Sequence, residues 1–152
     1  MNHSFPLRRL LTIAMLFSFG CSKPTNTADT TELFNEAVWT KHQQQSANRD
    51  KSITRKLFLI HQLTTALHQR GCSYACVDDL PDHERAALNE IVQLHQHAQP
   101  DLKVDLDSIE VLLHRRNDGY FDLSLKSSAT EGSFLKTNTS VTWVEPTPAT
   151  RR

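Results

Sequence analysis

The apolar residues of this chain change their period at Pro100, and that change constrains the fold more than any other feature. Before Pro100 they recur at the spacing of an amphipathic helix, and after it they alternate as in a strand with one buried face. The clearest helical stretch runs from a cap at Asp50 or Ser52 to about Arg70. Ile53, Leu57, Ile60, Thr64 and Leu67 form its stripe, Leu63 widens it, and Phe58 and Leu59 fall outside it, so more than one face is expected to be covered. Gly71 supplies the C-terminal cap. A third helix starts at Asp79 or Asp82 with Pro81 near its first turn, carries Ala87, Leu88, Ile91, Leu94 and Ala98 on one face, and stops at Pro100. A first helix is expected from Thr31 to about Gln45, with Asp29 and Glu32 as a reciprocal cap.

Beyond Pro100 two alternating runs, Ile109–His114 and Phe121–Leu125, flank Asn117-Asp118-Gly119. A two-residue Asp-Gly loop would put their apolar sets on opposite faces. A three-residue loop with Gly119 left-handed pairs Leu113 with Leu123 and Val111 with Leu125, and sets Glu110 opposite Lys126 and His114 opposite Asp122. Each matched pair contributes about 0.2–1 kcal/mol, so the three-residue loop is expected. A third strand through Thr139, Val141 and Trp143 follows a turn near Glu131–Ser133, with Leu123 against Val141 and Phe121 against Trp143. A three-stranded antiparallel meander is marginal alone. It is expected to pack on the helices as a single α+β domain over residues 31–145, with a disordered tail at 146–152.

The N-terminal 20 residues stand apart. Arg8 and Arg9 precede an apolar run from Leu10 to Phe19, too short for a spanning helix, which needs about 20 residues. Ser18-Phe19-Gly20-Cys21 follows. This stretch resembles the signal peptide and lipobox of bacterial lipoproteins, with Ser18 where that class usually has a larger aliphatic residue. The resemblance covers residues 1–24. It implies a signal peptide at 1–20, a lipid (palmitate among its acyl chains) on Cys21, and a membrane-attached mature protein. Ser22 is not the aspartate that retains such proteins at the inner membrane of enteric-type bacteria. The implied location is therefore the periplasmic face of the outer membrane. Residues 21–30, small and polar, read as a lipidated flexible tether.

Charge and composition exclude more than they assign. Basic and acidic residues balance at 17 each, with no dense basic face for nucleic acid. There is no Gly-x-Ser-x-Gly elbow and no glycine-rich phosphate loop among only four glycines, so no enzyme and no cofactor are expected. Asp101, Asp105, Asp107 and Glu110 lack the glycine of a calcium loop. In an exported protein, Cys72 and Cys76 are expected to form a disulfide with each other. The competing arrangement is zinc: His68, Cys72 and Cys76 would align on a continued helix, and His83, Asp78 or Asp79 could supply a fourth ligand. The remaining histidines, His42, His61, His95, His97 and His114, read as scattered surface and boundary residues.

These features favour a non-enzymatic binding or assembly factor for an envelope machine, such as a secretion, pilus or conjugation system. Its partner would be an envelope protein, met through the exposed edge of the third strand or through Phe58 and Leu59. The alternative is a small-ligand or metal-binding lipoprotein with a pocket between sheet and helices, rimmed by His61, His68 and the cysteines.

Overall fold

In the computed structural model, which describes residues 29–45 and 50–140, the longest helix starts where Asp50 can cap it. The Asp50 carboxylate accepts from the Ser52 and Ile53 amides at 2.8 and 3.2 Å, and α2 spans Lys51–Gln69. Those bonds, with that from the Ser52 hydroxyl, hold the Asp50 pKa below the usual carboxylate range. The helix ends at a left-handed Gly71 (φ +66°), where the Gly71 amide donates to His68 and the Cys72 amide to Leu67.

The expected stripe on α2 is buried at Ile60, Leu63, Thr64 and Leu67 and fails only at its N-terminal end. Phe58 and Leu59 are buried with Leu63, Ala66 and Leu67, whereas Ile53 and Leu57 are 52% and 46% exposed. The cause is double coverage. Helix α3 (Asp82–Ala98) and the sheet pack on one side of α2, and α1 (Glu36–Gln45) and the turn before it pack on another. Trp39 of α1 lies 5.2 Å from the Phe58 ring, with the Arg55 guanidinium 4.9 Å from the Trp39 ring. The first helix is also shorter than expected. Thr31–Phe34 is a 3-10 turn, Asn35 is extended, and its side chain accepts from the Ala37 amide at 2.9 Å to start α1.

The sheet has four strands, not three: β1 (Tyr74–Cys76), β2 (Glu110–Arg115), β3 (Tyr120–Lys126) and β4 (Ser133–Ser140), antiparallel in the order β1-β2-β3-β4. Three residues carry no readable period, and β1 exists because β2 offers it a ladder, with Ala75 opposite Val111 and buried. The β2–β3 register is the expected one throughout: Leu113 with Leu123, Val111 with Leu125, Glu110 with Lys126, His114 with Asp122. Gly119 has φ +84° and closes the three-residue loop, its amide donating to Arg116 at 3.2 Å.

The β3–β4 register differs from expectation. Leu123 faces Thr137 and Phe121 faces Thr139, while Leu135 pairs with Leu125 in the core. The hairpin turns earlier because Ser127 and Thr130 close on each other, Thr130 N–H to Ser127 O at 3.1 Å, and a left-handed Gly132 re-enters the strand. The expected partners Val141 and Trp143, like the tail at 146–152, lie outside the described residues. Leu63, Leu88, Ile91, Val92, Val111, Leu123 and Leu125 have no exposed surface and form the centre of the helix–sheet interface.

A Cβ at Gly119 would meet no atom within 4 Å, so Gly119→Val tests backbone strain alone. It should cost about 1–2 kcal/mol in urea unfolding. Swapping Glu110 and Lys126 together should be tolerated better than reversing either charge alone.

Candidate functional site

The most unusual polar arrangement lies where three chain segments meet: Thr30 ahead of the 3-10 turn, Arg70 at the end of α2 and Glu84 in the first turn of α3. All three are buried, Glu84 completely. Arg70 Nε donates to Glu84 Oε1 at 3.0 Å and Nη2 to Oε2 at 2.5 Å, a bidentate pair. The Thr30 hydroxyl donates to Glu84 Oε1 at 2.7 Å. Its oxygen is thereby left to accept from His83 Nε2–H at 2.6 Å. The set has a hydroxyl, an imidazole and a carboxylate, but not the order of a catalytic relay. The hydroxyl stands between the other two and gives its proton to the carboxylate, so the imidazole cannot activate it. The arrangement is a clamp. Phe34 adds a ring contact to His83 at 5.5 Å, and the Gln62 side-chain amide donates to the Leu33 carbonyl.

The cysteines lie on either side of β1. Cys72 Sγ donates to the Tyr74 carbonyl at 3.1 Å. The Tyr74 phenol donates to Glu110 Oε1 at 3.1 Å and lies 3.5 Å from Cys76 Sγ. Burial pushes the Cys72 thiol up, and the hydrogen bonds to Cys76 and Glu110, with partial burial, push the Tyr74 phenol well above its ordinary range. No disulfide joins Cys72 and Cys76 in this structure.

The alternative zinc set is not assembled either. The helix ends at Gly71 instead of continuing through Cys76. His83 is turned to Thr30, and His68 lies 4.7 Å from the Phe121 ring. Among the described residues no three His, Cys, Asp or Glu side chains are placed to hold a metal ion. The pocket expected between sheet and helices, rimmed by His61, His68 and the cysteines, is occupied by the core itself. Cys21, the lipidation candidate, lies outside the described residues.

Two surface features remain. A cleft of about 590 Å³ at the β1–β2 end is lined by Cys76, Asp78, Asp107, Glu110, Lys126 and Ser128 among others. Beside it Ser108, Ser127, Ser128 and Asp105 are bonded to one another. Those bonds tie the segment before β2 to the turn after β3. A groove of about 500 Å³ runs between α1 and α2, lined by Val38, Lys41, His42, Leu57, His61 and Thr139 among others. His42 lies against Trp39 and Phe58 there, and His61 bonds Gln62. His95 instead reaches the Phe134 carbonyl at 3.1 Å.

Sequence reasoning missed Thr30, Arg70 and Glu84. A helix-terminal arginine and a first-turn glutamate are ordinary surface choices, and only their meeting in space reveals their burial. Comparison with known protein families, characterised proteins and solved structures returns no match.

Removing one member of a buried ion pair leaves the other uncompensated, so Arg70→Ala or Glu84→Ala should cost about 3–5 kcal/mol. The Arg70→Met/Glu84→Leu double variant should recover a large part of that loss in chemical denaturation. Alkylation of the unreduced protein, read by mass, tests the cysteines. Modification of Cys72 without reductant is expected, and slower than for a free thiol. A Cys72–Cys76 pair labelled only after reduction would establish the expected disulfide.

Proposed function

We propose that this chain is a lipid-anchored, non-enzymatic binding or assembly factor on the periplasmic face of the outer membrane, serving an envelope machine such as a secretion, pilus or conjugation system. The observation that carries the reading is the N-terminal sequence: Arg8-Arg9, the apolar run from Leu10 to Phe19, then Gly20-Cys21. Its relation to the fold supports it. Thr30, nine positions after Cys21, is held in the buried clamp with Glu84 and His83. At a contour limit of about 3.5 Å per residue, a lipid on Cys21 would keep the domain within about 30 Å of the membrane. No helix among the described residues is long and apolar enough to cross a membrane.

Phe58 and Leu59 are buried and cannot serve as the partner surface. The surface we favour is the outer edge of β4, which has β3 on one side only. His95 engages the start of that edge at Phe134, and the strand continues through Lys136 to Ser140. An extended segment of an envelope partner could add to it as a further strand.

The test is Cys21→Ser in the full chain. Metabolic labelling with palmitate should be lost, and uncleaved precursor or soluble protein should accumulate. A Cys21→Ser protein that still matured and fractionated with outer membranes as the parent does would overturn the reading.

A further inference from the structure

We propose that the outer face of α1 and of the N-terminal half of α2 docks on an anionic lipid surface, with Val38, Ile53 and Leu57 entering the headgroup layer and Lys41 and Lys56 among the phosphates. This docking stands whether or not Cys21 is lipidated, because it uses only the surface of the folded domain.

Three observations carry it. The first is apolar clustering. Among the described residues five large apolar side chains are exposed, and three of them, Val38, Ile53 and Leu57, share this face. Val38 and Leu57 line one groove, and Ile53 lies one turn from Leu57 on the same side of α2. Exposed apolar side chains gathered in this way and rimmed by polar ones mark a contact surface. The second is charge. Lys41, His42 and His61 line the groove, and no carboxylate does. Lys56 follows Ile53 by three positions, on neighbouring helix surface. Glu36 is two residues from Val38, about 200° around α1, and the Asp50 carboxylate is engaged by the Ser52 and Ile53 amides. Apolar residues flanked by lysines suit the boundary between acyl chains and anionic headgroups, where the lysine stems lie on apolar surface and the ammonium groups reach the phosphates. The third is the charge at the opposite end of the sheet. The cleft there is lined by Asp78, Asp107 and Glu110, with Lys126 as the one cation in its lining. The two ends are separated along β4, from Ser133 beside Lys126 to Thr139 in the groove, by about 20 Å at about 3.3 Å per strand residue. A domain with cations at one end and carboxylates at the other turns its basic end toward an anionic surface.

The experiment uses the full chain with Trp39→Phe and Trp143→Phe, which removes both native tryptophans. A single probe is then placed on the face by Leu57→Trp, or at the acidic end by Leu106→Trp, an exposed position between Asp105 and Asp107. Fluorescence is read in vesicles of brominated phosphatidylcholine, with and without an equimolar part of phosphatidylglycerol. The Leu57→Trp probe should be quenched several-fold more than the Leu106→Trp probe, and more strongly with phosphatidylglycerol present. Adding Lys41→Glu should reduce that quenching, since one lysine near an anionic surface strengthens attraction about fivefold. The contrast between the two probes should persist with Cys21→Ser. Far-UV circular dichroism checks each variant, and if Leu57→Trp does not fold, Ile53→Trp on the same exposed side takes its place. Equal quenching at the two ends, or none at either, would overturn the proposal. So would quenching that phosphatidylglycerol and Lys41→Glu leave unchanged, or a contrast lost with Cys21→Ser. A blue shift of the Leu57→Trp probe that grows with protein concentration in the absence of vesicles would assign the face to a second copy of the chain, and that too would overturn it.

Discussion

A carboxylate with no exposed surface can be kept in a protein interior only if its oxygens are well bonded, because taking an ion out of water costs several kcal/mol even after relaxation. Glu84 meets that condition through Arg70 and Thr30. The pair determines much else. It fixes the end of α2 against the start of α3, and so the angle at which β1 leaves Gly71. Through Thr30 it also sets where the chain enters the domain. Breaking the pair would loosen the helix layer and the N-terminal entry together.

The sheet depends on that layer in turn. A small meander is weak without a covering face, and here Leu63, Leu88 and Ile91 meet Val111, Leu123 and Leu125 with no exposed surface left on any of them. Among the described residues, that interface is filled by apolar side chains. Candidate contact surfaces therefore lie at the periphery, along the outer edge of β4 and in the groove beside α1. The hydroxyl–imidazole–carboxylate set of Thr30, His83 and Glu84 is wired as a clamp.

Much of the fold was legible locally. The α2 cap at Asp50, its stop at Gly71, the Asn117-Asp118-Gly119 loop and the whole β2–β3 register follow from spacing and turn chemistry. What failed did so where two partners compete for one element. Ile53 and Leu57 read as core because they continue the apolar stripe of α2, but they are exposed, while Phe58 and Leu59 outside the stripe are buried by the second covered face they had signalled. The β3–β4 turn moved because Ser127 and Thr130 bond each other, a local contact invisible to apolar alternation.

The sequence by itself determined the three helices, the cap at Gly71, the left-handed Gly119 and the pairing of the central hairpin, though not that β1 would fall between the second and third helices. Each of these rests on the intrinsic conformational preferences of a few adjacent residues. Only the tertiary structure decided that β1 is a strand, that Arg70 and Glu84 are interior, and that His68, Cys72, Cys76 and His83 do not converge. Those outcomes depend on residues distant in the chain, Val111 for β1 and Thr30 for Glu84, whose proximity no local pattern encodes.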